Sequence, residues 1–461
     1  MKKTSLVCAA LVAIILLAAP LAEAKPNVIF ILTDDLGYGD VGFSLNQKRK
    51  TGEAHIDTPT LDRLAAEGVI LSDHYCAAPV CAPSRASILT GMHQPDCSVK
   101  NNMFDAPITE AETLATVMKG AGYRTYAVGK WGIAGGGQSK SPRTAHPCDK
   151  GFDHFYGFLD HLAGHTYFHT DTYRNGVWMG IDEDRTNATK SAEGKYSTTL
   201  FTDKAKDYIT DCVKDHKGEP FFLYLAYTTV HGPFQIPGEP YEQYRKYPET
   251  FARYATCVTI LDEQIERLME HLKSLGVLKN TIIVFTSDNG PAKEYGSDPA
   301  FFKSAGPFRG MKRDVLEGGM RVPTFVWRKG GFGRKVDAAP SQSTDWMPTL
   351  AEIAGVPAPK GRPGVSLLSR WRKKAAPKKA PSAISTDYQY SEPQKMVRVG
   401  DYTVLSIGSK PLEIYDVRRD APQKTNLLKE KIDAKTFPWP GTGDEAARRA
   451  WMKEHGFSVR N

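Results

Sequence analysis

Runs of apolar residues with the length of β-strands constrain the fold of this chain more than any other feature of its sequence. Residues 28–32, 221–225 and 282–285 are continuously apolar or aromatic, which is typical of strands that are buried on both faces of a sheet. Helical patterns lie between them: residues 256–275 carry apolar side chains three or four positions apart, and Gly276 follows. This alternation predicts an α/β fold in which one large, mostly parallel sheet is sandwiched between helices.

A further helix and strand are expected between the first two apolar runs. Residues 109–112 read Thr-Glu-Ala-Glu, a capping-box pattern that predicts a helix over residues 109–119. Residues 123–128 predict a shorter strand, after which the chain continues as Gly129-Lys130-Trp131. Lys130 is therefore expected at the carboxyl end of a strand.

Polar residues follow the predicted strands at the point where each strand ends. Asp34 and Asp35 follow the first apolar run, and Asp288 and Asn289 follow the last. Taken singly, such residues are common in turns, but the carboxyl ends of parallel strands meet at one sheet edge, where ligands bind. Three carboxylates that converge there would repel one another without a cation, and oxygen ligands favour Ca²⁺ or Mg²⁺ over zinc.

A short motif that begins at Cys81 predicts an anion-binding helix end. The chain reads Cys81-Ala-Pro-Ser-Arg85, continues through Leu-Thr and reaches Gly91. Proline suits the first turn of a helix, and glycine is well placed to end one. Cys81 is thus expected at a helix N-terminus, where free N–H groups favour anions. Arg85, four residues on, can bind an anionic oxygen or orient the group at position 81.

This motif resembles the Cys-x-Pro-Ser-Arg signature, with its Leu-Thr-Gly extension, of type I sulfatases in the alkaline-phosphatase-like superfamily, and the chain looks like a bacterial, secreted arylsulfatase. The resemblance implies that a maturation enzyme oxidises Cys81 to Cα-formylglycine, whose hydrated aldehyde is the nucleophile. It also implies one divalent cation, usually Ca²⁺ with Mg²⁺ possible, held by Asp34, Asp35, Asp288 and Asn289 together with the residue at position 81.

The likeness to this family extends over residues 26–428. Residues 309–312 and 317–323 resemble its Gly-x-Lys and Glu-Gly-Gly-x-Arg-Val-Pro block, which implies that Lys312 contacts the sulfate. Lys130 is expected to bind sulfate as well. His231 follows a predicted strand, and we expect it to donate the proton that a departing alcohol needs.

The chain departs from the family pattern at one position. Where the family reads Gly-Lys-Trp-His, this chain has Gly132 in place of the histidine. Either another histidine serves instead, or the aldehyde hydrate is managed differently. The candidate histidines are His74, His146, His161 and His165.

The function expected from these motifs is hydrolysis of sulfate esters, on a sulfated carbohydrate. One alternative is a phosphoester hydrolase of the same superfamily, because both substrates are tetrahedral anions. The other is an inactive protein that binds sulfated glycans, an alternative that Gly132 leaves open. Substrate choice is expected to depend on loops 134–137 and 160–174, and Trp178, His165 and Tyr167 are candidate sugar contacts, although packing is a commoner role for aromatic residues.

The N-terminus predicts export. Residues 1–3 are Met-Lys-Lys, residues 6–21 are apolar, and residues 22–24 form a small-x-small cleavage site. We therefore expect a bacterial signal peptide and a mature periplasmic or extracellular chain without a membrane span. The net charge of +8 favours anionic partners, whereas export and the lack of a nucleic-acid-binding motif argue against nucleic acid.

The domain plan follows from these boundaries. Residues 1–24 form the signal peptide, residues 25–365 the catalytic domain and residues 366–381 a basic, solvent-exposed Ala/Pro linker. Residues 382–461 are expected to form a small α+β subdomain. It would contain four short antiparallel strands and a helix near residues 446–455.

Overall fold

The computed structural model describes residues 24–427, except 45–48, 51, 103–104, 138–140, 176, 373–383 and 390. The predicted signal peptide (except Ala24) and the helix expected near residues 446–455 lie outside the described residues. Within the described part of the chain, no helix has both the length and the apolar character that a membrane crossing requires.

Eighteen strands are present in the described residues. In chain order they are β1 (Asn27–Thr33), β2 (Val69–Leu71), β3 (His74–Tyr75), β4 (Arg124–Lys130), β5 (His154–Phe158), β6 (Tyr173–Arg174), β7 (Val177–Trp178), β8 (Asp182–Glu183), β9 (Thr186–Asn187), β10 (Phe221–Ala226), β11 (Thr281–Ser287), β12 (Phe325–Arg328), β13 (Lys335–Asp337), β14 (Ser341–Gln342), β15 (Ile384–Gln389), β16 (Pro393–Val399), β17 (Tyr402–Ile407) and β18 (Glu413–Asp416).

Helices alternate with these strands, as the sequence predicts. The α-helices of the described residues are α1 (Pro59–Glu67), α2 (Cys81–Thr90), α3 (Leu114–Gly120), α4 (Thr189–Ala192), α5 (Ser197–Asp215), α6 (Glu249–Ser274), α7 (Glu317–Met320), α8 (Trp346–Ala354) and α9 (Leu368–Trp371). Short 3₁₀ helices lie at Gln94–Asp96, Pro147–Lys150, Ala163–His165, Glu242–Tyr244, Leu278–Asn280 and Ser343–Asp345.

Ten strands form the large sheet, in the order β13-β2-β12-β11-β1-β10-β4-β5-β8-β9. Its centre, from β11 through β1, β10 and β4 to β5, is entirely parallel, while β12, β8 and β9 pair antiparallel towards the margins. All seven residues of β1 are buried, and Ile29 and Phe30 belong to separate apolar cores on opposite faces. The predicted sheet covered on both faces is confirmed.

The two cores assign the helices to the two faces of the sheet. Residues of α1, α5 and α6 pack with Ile29 and Ile31 on one face. Residues of α2, α3 and α8 pack with Val28 and Phe30 on the other. Buried aliphatic and aromatic side chains on both faces supply the main driving force for folding, at about 25 cal/mol for each Å² of apolar surface removed from water.

The predicted start of helix α3 is wrong. We expected Thr109 and Glu112 to form its capping box, but the helix begins at Leu114, and Thr113 and Thr116 cap each other's backbone N–H groups. Glu112 is engaged elsewhere, because its Oε2 accepts a hydrogen bond from Arg362 Nη2, 250 residues along the chain, at 3.3 Å. A long-range partner thus overrides a pattern that is correct locally.

The C-terminal part contains the predicted antiparallel sheet, with β15 to β18 in sequential order. Its apolar face packs against Val80, immediately before α2, and against Met320 of α7. Gln394 on β16 accepts a hydrogen bond from Val315 N at 3.3 Å and donates one to Arg313 O at 3.0 Å. The small sheet therefore supports the segment that contains Lys312.

The start of the expected basic linker is part of the packed domain. Trp371 is buried in α9, and the Arg370 guanidinium lies 2.8 Å from the Asp337 carboxylate. The expectation that these two residues are solvent-exposed is wrong. An indole and a guanidinium that is paired with a carboxylate gain free energy from packing, even within a run of basic residues. Residues 373–381 lie outside the described residues.

Candidate active site

The central parallel strands bring the predicted polar residues to one edge of the sheet. Thr33 and Ser287 are register partners at the ends of β1 and β11, so Asp34 and Asp288 follow side by side. Asp288 N donates to Thr33 O at 3.1 Å. Asp35 has a φ of 64°, and this turn directs its backbone N–H towards Asp288 Oδ1 at 3.2 Å.

Cys81 lies at the start of a buried helix and faces this edge. It is the first residue of α2, which ends at Gly91 with a φ of 68°, as predicted. Its Sγ lies 3.2 Å from Asp34 Oδ1 and 4.0 Å from Asp35 Oδ1. Burial and the Asp34 carboxylate raise the pKa of the Cys81 thiol. An unmodified cysteine here would remain a protonated thiol and a poor nucleophile.

Two buried lysines pair with the two aspartates after β1. Lys130 Nζ donates to Asp34 Oδ2 at 2.7 Å, and Lys312 Nζ donates to Asp35 Oδ2 at 2.8 Å. Burial opposes ionisation of Asp34, but the nearby Lys130 ammonium and Arg85 guanidinium hold its pKa well below its usual value. Burial likewise opposes the charge on Lys312, but Asp35 raises its pKa above the usual range. Asp34 therefore stays ionised and Lys312 stays protonated at neutral pH.

Arg85 binds the carboxylate after β11. Its Nε and Nη2 lie 3.0 and 2.8 Å from Asp288 Oδ2, Nη2 lies 3.5 Å from Asp34 Oδ2, and Nη1 donates to Lys130 O at 2.9 Å. Both members of the Arg85–Asp288 pair are fully buried. Burial and Asp34 raise the pKa of Asp288 to about 7, against the opposing effect of Arg85. Arg85 therefore binds the sheet edge that carries Asp34 and Asp288, and protein groups occupy its guanidinium.

The sheet edge that carries Asp34, Asp35, Asp288 and Asn289, which we call the oxygen-rich edge, fits a hard divalent cation. Ligand atoms of Asp34, Asp35, Cys81 and His231 all lie within 4.8 Å of one another. Asn289 donates to Asp35 Oδ1 at 2.7 Å, and its buried Oδ1 has no hydrogen-bond partner among the described residues. An orphaned amide oxygen beside buried carboxylates is an arrangement that a cation with oxygen ligands completes.

His231 lies beside Lys312 and is oriented by the backbone. Its Nδ1 is 2.6 Å from Gly232 O, and its Nε2 is 3.1 Å from Lys312 Nζ. Because a carbonyl oxygen can only accept a hydrogen bond, Nδ1 carries the proton of the ring. Nε2 then accepts a hydrogen bond from the Lys312 ammonium. Burial, reinforced by Lys312, lowers the pKa of His231, which favours the neutral ring.

Two of the four candidate histidines lie at this site. The His165 ring stacks on His231, with ring centroids 3.8 Å apart, and the His161 ring lies 5.0 Å from His165. A Cβ added at Gly132 would lie 3.1 Å from His161 Nδ1, so His161 borders the space that a side chain at that position would enter.

The other two candidate histidines have structural roles elsewhere. His74 Nδ1 lies 3.0 Å from Ser341 Oγ, between the short paired strands β3 and β14. His146 Nε2 lies 3.0 Å from Asp182 Oδ1 on β8, towards a margin of the large sheet. Neither is a candidate for the missing histidine.

The expected sugar contacts are partly wrong. Tyr167 is fully buried, and its hydroxyl donates to His231 O at 2.9 Å, so it positions the histidine instead. Trp178 Nε1 donates to Asp171 Oδ1 at 2.8 Å.

Sequence reasoning also missed Glu294, whose Oε2 lies 4.0 Å from His231 Nε2 and 3.9 Å from Lys312 Nζ. The only available signal was its position five residues after Asn289.

Comparison with known proteins finds relatives of this chain. A family model described as Sulfatase matches residues 26–356. Arylsulfatase J of Mus musculus is 35% identical over 351 residues, which cover 73% of this chain and 54% of that protein. N-acetylgalactosamine-6-sulfatase of Mus musculus is 31% identical over 368 residues, which cover 75% of this chain and 66% of that protein. The chain thus spans between half and two thirds of these relatives.

A solved structure has a similar fold. The crystal structure of Ps i-CgsB in complex with k-i-k-neocarrahexaose aligns with a TM-score of 0.75 and 27% identity. The alignment covers 88% of this chain and 89% of that chain. The likeness therefore extends over most of this chain.

Proposed function

The chain belongs to the sulfatase family, and from that premise we propose that it hydrolyses the sulfate esters of a sulfated carbohydrate. One observation carries the proposal. Cys81 is the first residue of a buried helix and lies 3.2 Å from Asp34 Oδ1, among three carboxylates and three basic side chains. A maturation enzyme that converts Cys81 to Cα-formylglycine would place the modified side chain at the centre of this cluster.

Two groups would complete the site. A formylglycine hydrate at position 81 would supply two hydroxyl groups, one to attack sulfur and one whose ionisation would release sulfate. Asp34, Asp35, Asp288 and Asn289 would hold a Ca²⁺ or Mg²⁺ ion, whose positive charge would lower the pKa of a hydroxyl beside it. The hard-oxygen donor set and the orphaned Asn289 Oδ1 support this choice of ion.

The buried lysines have the charge and position to bind the sulfate oxygens. Lys130 is fully buried and Lys312 is 3% exposed, so their ammonium groups act where water screens little. They would neutralise the negative charge of the sulfuryl group in the transition state. The Arg85 guanidinium is not available to bind sulfate, because it donates its hydrogen bonds to Asp288 and to the Lys130 carbonyl. It is therefore a positioning residue.

His231 and Lys312 are proposed to deliver the proton to the leaving alcohol together. Lys312 Nζ lies 3.1 Å from His231 Nε2, and the Nδ1 proton of His231 is held by Gly232 O. The neutral ring carries no proton on Nε2, so Lys312 would first transfer one to Nε2 along this hydrogen bond. The protonated ring would then release that proton readily to the alcohol, because burial and Lys312 lower its pKa.

His161 is proposed to serve in place of the histidine that is missing at Gly132, because its ring borders that space. His161→Ala should lower kcat by about 10²-fold or more, as for loss of a group that transfers a proton. His146→Ala is the matched control, since His146 pairs with Asp182 elsewhere. Equal effects of the two substitutions would remove His161 from the mechanism.

The substrate is proposed to be a saccharide that carries sulfate on a galactose or galactosamine unit. The names of two relatives support this choice, since one is an N-acetylgalactosamine-6-sulfatase and the other was solved with a neocarrahexaose. Export of the mature chain to the periplasm or beyond, after cleavage of residues 1–24, is part of the proposal. It would bring the enzyme to such polysaccharides.

The test is sulfate release from a panel of defined sulfated saccharides by enzyme that has been co-expressed with a formylglycine-generating enzyme. Each saccharide is paired with the phosphate ester of the same alcohol, and Cys81→Ala is the control. We expect sulfate release by the wild type alone. Faster hydrolysis of the phosphate esters would instead indicate a phosphoester hydrolase. Tight glycan binding without hydrolysis, with Cys81 fully modified, would indicate a glycan-binding protein.

A further inference from the structure

A groove of about 420 Å³ opens on the surface beside His231. Phe168, Phe234 and Tyr295 line it, together with Arg253 from helix α6. Grooves of this size with aromatic walls and a few polar groups are typical of small-ligand sites. None of these residues takes part in the reaction described above.

Segments that bring side chains to the reaction centre continue directly into the groove. His165 stacks on His231 with ring centroids 3.8 Å apart, and Phe168 lies three residues further along the chain. Glu294 Oε2 lies 4.0 Å from His231 Nε2, and Tyr295 is the next residue. The groove therefore begins where the reaction centre ends, and its occupant would be joined to the group that carries the sulfate.

Tyr295 has the properties of an aromatic platform. Its side chain is 55% exposed, although it is large and apolar, and its φ of 53° is unusual for an aromatic residue. A Cβ added at Gly232 would lie 2.2 Å from Tyr295 Cδ2. The ring therefore packs on the Gly232 backbone, where no other residue type would fit, and it is held in place while much of its surface faces solvent.

The charge of the groove indicates the kind of ring it accepts. Arg253 is the one charged side chain among the described residues that line it. Its guanidinium is paired with Glu249, at 2.8 Å, so the pair adds no net charge beside the groove. Aromatic walls without net charge suit the apolar face of an uncharged sugar ring.

We propose that this groove binds the uncharged sugar ring next to the sulfated one. The enzyme then acts on sulfate groups within saccharides of at least two units and discriminates against sulfated monosaccharides. This inference rests on the proposed function and deepens it, because it defines the substrate beyond the sulfate group.

The test compares a sulfated galactose monosaccharide with a disaccharide in which an uncharged sugar is joined to that unit. We expect the wild type to have the higher kcat/KM on the disaccharide. In Tyr295→Ala, the ratio of the two kcat/KM values should fall about tenfold, the effect expected for loss of an aromatic stacking contact, and mainly through the KM for the disaccharide. Tyr295→Phe retains the ring and should retain the ratio.

Other outcomes separate this inference from the proposed function. An unchanged ratio in Tyr295→Ala, with sulfate still released, overturns the groove and leaves sulfatase activity intact. If Tyr295→Ala loses activity on nitrophenyl sulfate but not on the saccharides, the inference is also overturned. The groove then holds an aromatic leaving group rather than a sugar. If the wild type releases no sulfate, equilibrium binding of the two saccharides replaces kcat/KM. A Tyr295-dependent preference for the disaccharide then supports the groove, and equal binding contradicts it.

Discussion

Replacement of Arg85 by methionine should destabilise the fold far more than loss of an ordinary surface ion pair. The guanidinium donates two hydrogen bonds to Asp288 Oδ2, at 3.0 and 2.8 Å, and one to Lys130 O, at 2.9 Å. Methionine fills much of the same volume but leaves a fully buried carboxylate without its charged partner. Breaking a buried ion pair in this way costs about 3–5 kcal/mol in the free energy of unfolding.

The assay is urea unfolding followed by tryptophan fluorescence, with a chelator present so that a bound cation adds no stability by linkage. Arg124→Met is the matched control. Arg124 Nε lies 2.7 Å from Glu219 Oε2, but the two side chains are 35% and 47% exposed. Loss of such an exposed pair should cost no more than about 1 kcal/mol.

A double-mutant cycle identifies the cause. If the uncompensated Asp288 carboxylate produces the destabilisation, Arg85→Met combined with Asp288→Asn should cost about 0.5–3 kcal/mol less than the sum of the single changes. Strictly additive effects would refute this reasoning. An Arg85→Met protein as stable as Arg124→Met would also refute it.

Three further predictions follow from the site and its surroundings. Chelation of divalent cations should abolish activity and lower Tm, and added Ca²⁺ should restore both; an unchanged rate after complete metal removal would contradict the metal site. His231→Ala should lose about 10²-fold more activity on a sugar sulfate than on nitrophenyl sulfate, whose leaving group needs no proton; equal losses would limit His231 to positioning. Burial, with help from Arg370, lowers the pKa of His74 to about 3. Because the unfolded pKa is about 6.5, stability should fall as pH drops below that value, by about 2 kcal/mol at pH 5. The measurement is urea unfolding at pH 7 and pH 5, and His74→Gln should lose that much less stability between the two; equal losses would contradict the assignment.

The parallel sheet and the oxygen-rich edge could be predicted from the sequence because local signals specify both. Strand β1 is apolar along its whole length and ends at Thr33, so Asp34 and Asp35 had to lie at its carboxyl end. The same reasoning applies to Asp288 after β11. The proline after Cys81 and the glycine at position 91 correctly predicted where helix α2 begins and ends, because helix ends depend on nearby residues.

Pairings between distant segments could not be predicted in this way. Arg85 and Asp288 are 203 residues apart, and no local pattern distinguishes a guanidinium that binds a protein carboxylate from one that binds sulfate. His161 borders Gly132 because loop residues lie over the ends of β4 and β5, a placement that depends on tertiary packing. Tyr167 was a candidate sugar contact, but its hydroxyl donates a hydrogen bond to His231 O.

The most direct test of the central claim combines sulfate release with the mass of the peptide that contains Cys81, on the same matured preparation. We expect this peptide to be about 18 Da lighter than its cysteine form, since an aldehyde has replaced the thiol. Sulfate release should rise in proportion to the modified fraction and should be absent in Cys81→Ala. Full sulfate release by a preparation in which Cys81 is entirely an unmodified thiol, or by Cys81→Ala, would contradict the claim.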